Sequence, residues 1–176
     1  GLVGSEMCIR DRYEVNADKK ALEKSIKIMN DTWELFFNKE TQLFQKNIIK
    51  DNDLFASPLD LNDSNIPNGN SVYLLISNKL YSITNDKIWS ERNEVLKKSF
   101  HQVLNSYYSQ MFSFIKTLDI CDNSLSFTFS GTSQSIKEIQ LYLQKEYLGV
   151  ATFVYQLNND TKPVSYTHLT LPTICS

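Results

Sequence analysis

The sequence predicts a mainly α-helical fold with a small α/β part at its C-terminal end. Two observations predict it. Apolar residues recur every three or four positions in successive stretches, the period of a half-buried helix. Two short alternating stretches, "LSFTFS" (125–130) and "VATFVYQL" (150–157), bracket a further helical stripe, which is the order of a strand–helix–strand unit.

The elements follow in order. Leu22, Ile26, Met29, Trp33 and Phe36 lie on one face of a helix expected over 16–37, with Asn16 as its N-cap. "NKETQLF" reads as a turn into a short extended piece, and residues 45–66, with Pro58 and several Asp and Asn, read mainly as loop. A second helix is expected over 70–83, with Val72, Leu75, Ile76 and Leu80 facing inward and Asn70 or Ser71 as its cap. "TND" (84–86) ends that helix and can cap the next. The third helix reads as one long rod, its stripe running through Leu96, Phe100, Val103, Tyr107, Met111 and Ile115. Gly131 ends the first strand, and Ile136, Ile139 and Leu143 mark a helix over 133–147, with Ser135 and Glu138 at capping-box spacing. The strands on either side are expected to be parallel. Two strands make a poor sheet alone, so they should join further strands or pack on the helices.

Composition narrows the function classes. At 176 residues, 41% hydrophobic and 22% charged, the chain has the make-up of an ordinary globular domain with a core. A net charge of -2 gives no basic surface for nucleic acid. No apolar run approaches the ~20 residues that span a bilayer, so no membrane partner is expected and the location reads as cytoplasmic. Three scattered cysteines make neither a disulfide framework nor a zinc pattern, and no cofactor is implied.

The two ends differ from the interior. Between Tyr13 and Pro163 stand fifteen lysines and one arginine, Arg92. The first twelve residues hold Arg10 and Arg12 and no lysine, and residues 164–176 hold neither. "SEMCIRDR" and "VSYTHLTLPT" resemble translated sequencing-adapter read-through, a contaminant of metagenomic reading frames. Residues 1–12 and 164–176 are therefore expected to be foreign to the fold. Cys8, Cys175 and His168 then leave the inventory, and the interior keeps only Cys121 and His101. Nucleophile–base pairs and metal sites built on Cys and His become remote. His101 reads as a surface histidine in the first turns of the long helix. Cys121 reads as a loop thiol whose neighbours Asp119 and Asp122 disfavour thiolate.

The informative stretch is "DSNIPNGNS", Asp63 to Ser71. Asn68-Gly69 is a turn dipeptide, Pro67 stiffens the approach, and a helix follows. One reading is a well-built loop-to-helix turn. The other has Asp63, Asn68, Asn70 and Ser71 presenting polar groups at the mouth of a cavity, where a helix N-terminus favours anions and hydroxyl-rich ligands.

The order of segments resembles the C-terminal part of thioredoxin-domain proteins related to spermatogenesis-associated protein 20. It comprises "WELFFNKETQLF", a polar loop, Asp-x-x-x-Pro-x-Gly-Asn-Ser, an apolar helix, "YSITND", a long helix, and strand–Gly–helix–strand. The family motif is D-x-A-x-P-S-G-N-S. Asp63, Pro67, Gly69, Asn70 and Ser71 match it, whereas Asn65 and Asn68 depart from it. "FFNKETQLF" stands where the family has a glycine-rich aromatic turn, and the glycines are absent.

The resemblance spans nearly all of 13–163. It implies a partial α/α toroid of the epimerase and six-hairpin glycosidase kind over 13–118, then a βαβ appendage over 119–163. A thioredoxin-like domain and the rest of the toroid would lie upstream. A partial toroid would leave apolar faces without partners, so the product alone is expected to be marginal. Two functions stay open. In one, the complete toroid binds a small polar or sugar-like ligand beside Asp63, Asn68, Asn70 and Ser71. In the other, the toroid is a non-catalytic scaffold or interaction module. Neither assigns a catalytic residue to this chain.

Reassembling the parent DNA after adapter trimming should remove both ends and expose an upstream thioredoxin-like domain. Untrimmed reads that run unbroken through both termini into ordinary coding sequence would contradict the reading of the ends.

Overall fold

The computed structural model describes residue 13 and residues 18–47, 58–143, 151–157 and 165–170. The predicted N-cap Asn16 lies outside these residues. The helix α1 (Lys19–Phe36) is capped by Asp18, whose carboxylate accepts from the N–H groups of Lys20 and Ala21. Its predicted stripe faces the core: Met29 is buried, and Leu22, Ile26, Trp33 and Phe36 pack against the core cluster.

"NKETQLF" forms a hairpin of β1 (Phe37–Asn38) and β2 (Leu43–Phe44), antiparallel, with Phe37 opposite Phe44. The Asn38 side chain nucleates the turn by accepting from the N–H groups of Glu40 and Thr41 at 2.8 and 3.1 Å. Gln42 closes it in the left-handed region, φ 56°. A non-glycine residue there costs about 1 kcal/mol or more.

The second helix, α2 (Gly69–Thr84), is the centre of the fold. Val72, Tyr73, Leu74, Ile76 and Leu80 are all buried, so its apolar surface wraps most of its circumference rather than one stripe. A helix apolar on several faces must be enclosed. It packs on α1, β2, α3 (Lys87–Tyr107), α4 (Phe112–Asn123) and the C-terminal sheet. "TND" behaves as expected. Asn85, φ 55°, is the left-handed C-cap of α2, and the Asp86 side chain caps α3 through Ile88 N–H.

The long third helix is two helices. α3 ends at Tyr107, a 3₁₀ turn spans Tyr108–Gln110, and α4 begins at Phe112. Met111 is buried at the corner, and Phe100 stacks on Phe114 with ring centroids 3.4 Å apart. Ile115, placed on the inward stripe by a continuous-helix reading, is exposed. α4 also runs through residue 118, the expected boundary, to Asn123.

The strand–helix–strand unit is present as β3 (Ser126–Gly131), α5 (Ser133–Leu143) and β4 (Thr152–Leu157). β3 and β4 are parallel, with Ser126 opposite Thr152 and Gly131 opposite Leu157. Rings pair across them, Phe127 with Phe153 and Phe129 with Tyr155. The start of α5 is held by Thr132, whose hydroxyl accepts from Ser135 N–H, so the cap lies three residues before Ser135. A third strand, β5 (Ser165–Thr170), pairs antiparallel with β3, giving the order β4-β3-β5. The segment read as a foreign tail thus contributes backbone pairing to the sheet. β4 rests on α2, which joins the sheet to the helices.

Candidate functional site

The segment from Asp60 to Ser71 is where most polar groups converge, and they converge on one another. The N-cap of α2 is Asn68, not Asn70 or Ser71. Its side-chain oxygen accepts from both the N–H and the hydroxyl of Ser71, each at 2.9 Å. Gly69 N–H donates to the Asp60 carboxylate at 2.5 Å. A Cβ on Gly69 would lie 2.6 Å from that same oxygen, which is why a glycine belongs there.

Asn70 is fully buried and performs a different task. Its side-chain oxygen accepts from Phe44 N–H at 2.9 Å, while its NH₂ group donates to Phe44 C=O at 3.3 Å and to Asp60 C=O at 2.7 Å. The amide therefore pairs with β2 as a neighbouring strand would. It satisfies backbone groups that burial would otherwise leave unpaired.

Asp63 reaches further. It accepts from Asn68 N–H at 3.1 Å and Asn68 Nδ2 at 2.9 Å, at the start of α2. It also accepts from Ser113 N–H at 2.7 Å and from the Ser113 hydroxyl, at the start of α4. α4 has no cap of its own, because Met111 makes no side-chain capping bond. Asp63 supplies that cap from fifty residues away in sequence, and the Ser113 hydroxyl lies 2.9 Å from the Ser71 hydroxyl. Burial raises the pKa of the Asp63 carboxyl. The hydrogen bonds from Ser113 and Asn68 outweigh burial and leave it below its ordinary value of 3.8.

All four residues singled out by sequence, Asp63, Asn68, Asn70 and Ser71, are thus brought together, with internal partners for each. Ser113 and Asp60 complete the network and carry no sequence signal of their own. Ser113 is one hydroxyl in the apolar run "MFSFIK", and Asp60 is one acid among many in a polar loop.

A second polar cluster lies under α1. Arg92 is buried, donating to the Asn30 side-chain oxygen at 2.8 Å and the Tyr73 hydroxyl at 3.0 Å. Its guanidinium stands over the rings of Trp33 and Trp89, at 4.8 and 5.2 Å. Burial pushes the Tyr73 phenol well above its usual pKa, against the pull of Arg92. Trp33, on the apolar stripe of α1, also stacks on Phe37 with ring centroids 3.8 Å apart.

The remaining titratable residues are quieter. Cys121 is on the last turn of α4, not in a loop, and burial pushes its thiol up to about 11, with Lys97 opposing and Asp122 adding. A thiol that stays protonated is a poor nucleophile. His101 is exposed on the second half of α3. Among the described residues no group of three or more His, Cys, Asp or Glu is placed to hold a metal, and no helix is long and apolar enough to cross a membrane. No protein-family model matches the chain, and no curated protein matches it.

Because the folded-state pKa of Asp63 is depressed, its hydrogen bonds contribute full stability above about pH 3.8. That contribution should be lost as pH falls through the lower folded value. Denaturant midpoints measured from pH 6 down to about pH 2 should fall less steeply for Asp63→Asn than for the parent chain. Identical acid limbs would remove Asp63 as their source.

Proposed function

We propose that this chain is a non-catalytic scaffold module from the last part of an α/α toroid, in a cytoplasmic protein of the spermatogenesis-associated protein 20-like family that also carries a thioredoxin-like domain. One observation carries this reading. The polar groups that a ligand at the 63–71 loop would need are already bonded to the protein itself. A carboxylate with several donors and a buried amide with three partners hold helices together, and a substrate would have to displace them.

A second feature supports it. Ile66, Tyr108, Phe112 and Ile115 are exposed, the first three at more than half of their surface. They flank the junction at which Asp63 N–H donates to Gln110 C=O. Apolar residues gathered at a helix corner suit a contact with the rest of a larger toroid.

The alternative, a sugar-like ligand bound at Asp63, Asn68, Asn70 and Ser71 in the complete toroid, makes the opposite forecast for the same variants. In the full-length protein, Asn70→Ala should lower unfolding stability by roughly 3 kcal/mol, since three backbone groups lose their partner. Asp63→Ala should lower it too. Calorimetric titration with monosaccharides should show no specific heat for parent or variants. Saturable sugar binding that either substitution abolishes, with stability unchanged, would favour the carbohydrate reading instead.

A further inference from the structure

Asn68-Gly69 is the one Asn-Gly pair in the chain. Asn-Gly is the dipeptide most prone to lose its side-chain amide, because glycine has no Cβ to shield its backbone nitrogen. The reaction needs no enzyme. The Gly69 nitrogen gives up its proton to hydroxide and attacks Cγ of Asn68. The new C–N bond closes a five-membered succinimide ring, and the Cγ–Nδ2 bond breaks to release ammonia. Water then adds to one ring carbonyl. The ring opens to an aspartate or an isoaspartate at position 68, a carboxylate where an amide stood.

In the folded chain every group that this reaction must move is held. Gly69 N–H donates to the Asp60 carboxylate at 2.5 Å, and an anion so close opposes loss of that proton. Asn68 Oδ1 accepts from the N–H and the hydroxyl of Ser71. Its Nδ2 donates to Asp63 at 2.9 Å and to the Ser113 hydroxyl at 3.1 Å. Asn68 is only 2% exposed, so hydroxide and water reach it when the start of α2 opens.

The product would not fit where the amide sits. Aspartate caps a helix as well as asparagine does, so the bonds from Ser71 survive. The side that faces Asp63 fares differently. Nδ2 is the donor there, and the reaction puts a carboxylate oxygen at the 2.9 Å where it stood. Two carboxylates at that distance cannot both stay ionised without cost. An isoaspartate also adds a carbon to the backbone and draws Gly69 N–H away from Asp60. Either product turns the attraction that joins α2 to α4 into repulsion.

We propose that Asn68 is a latent deamidation site. The network of Asp60, Asp63 and Ser113 keeps it unreacted in the folded chain. Once the loop opens and Asn68 reacts, the product irreversibly releases the start of α4 from that of α2. The inference goes beyond the scaffold reading and stands on the bonding of the loop alone.

The test follows the amide-to-acid mass change at Asn68, located by fragmentation of the peptide that carries it. The intact chain is held in mildly alkaline buffer with and without urea. Folding should slow the reaction at least about a hundredfold, and Ser113→Ala, which removes one partner of the amide, should restore about tenfold of that. Lys98→Ala, on exposed α3, should react like the parent chain. Asn68→Asp reproduces one product directly. Its denaturation midpoint near neutral pH should fall, and adding Asp63→Asn, which exchanges acid and amide, should bring it back. Equal rates in buffer and in urea, or a Ser113→Ala rate no faster than the parent's, would overturn the protection. An Asn68→Asp chain as stable as the parent, or one that Asp63→Asn fails to rescue, would overturn the release.

Discussion

One carboxylate joins two helix starts in this protein. Every helix begins with N–H groups that have no partner in the helix and with a partial positive charge. α2 answers this with its own Asn68. α4 begins at a corner occupied by Met111, which makes no side-chain capping bond, and the Ser113 N–H in its first turn is satisfied by Asp63 instead. The same carboxylate holds Asn68, which in turn holds Ser71. The starts of α2 and α4 are thereby tied to one anion, and the low pKa of Asp63 expresses how strongly those donors favour its charged form.

The packing of the helical core follows from that tie. Phe100 and Phe114 are fourteen residues apart, which is about 21 Å along one continuous helix. Their rings are stacked because the chain breaks after Tyr107 and α4 folds back beside α2. Met111 fills the corner, and Asp63 N–H bonded to Gln110 C=O fixes the loop beneath it. Asn70 does the corresponding work on the other side of α2, where it binds the hairpin strand β2 through Phe44. The central helix thus has polar clamps at its N-terminal end, and further along it buried apolar side chains are joined by hydrogen bonds between Tyr73 and Arg92 and between Ser77 and Asn93.

Much of this was legible in the sequence, and the exceptions have physical causes. The stripe of α1, the "TND" break and the parallel strands flanking α5 all rest on local periodicity or local turn chemistry, and all are present. The corner between α3 and α4 left no local mark. Tyr107, Met111 and Ile115 are spaced by four, in step with an unbroken helix, and neither glycine nor proline interrupts them. What breaks the rod is a cap supplied from a distant loop. The role of Asn70 was hidden for a similar reason. An asparagine at a helix start suits a cap, and only the position of Phe44 makes it a bridge instead. Sequence reasoning drew the right residues together at 63–71, but whether they faced a ligand or one another depended on Ser113, which no spacing rule selects.

The central claim is that Asp63 and Ser113 act as a single clamp between α2 and α4. A double-mutant cycle with Asp63→Asn and Ser113→Ala, measured by chemical denaturation near neutral pH, tests it most directly. A clamp requires the two losses to overlap, with a coupling of about 1–3 kcal/mol. Losses that add to within about 0.3 kcal/mol would show that the two residues stabilise the chain independently, and the account of the corner would be wrong.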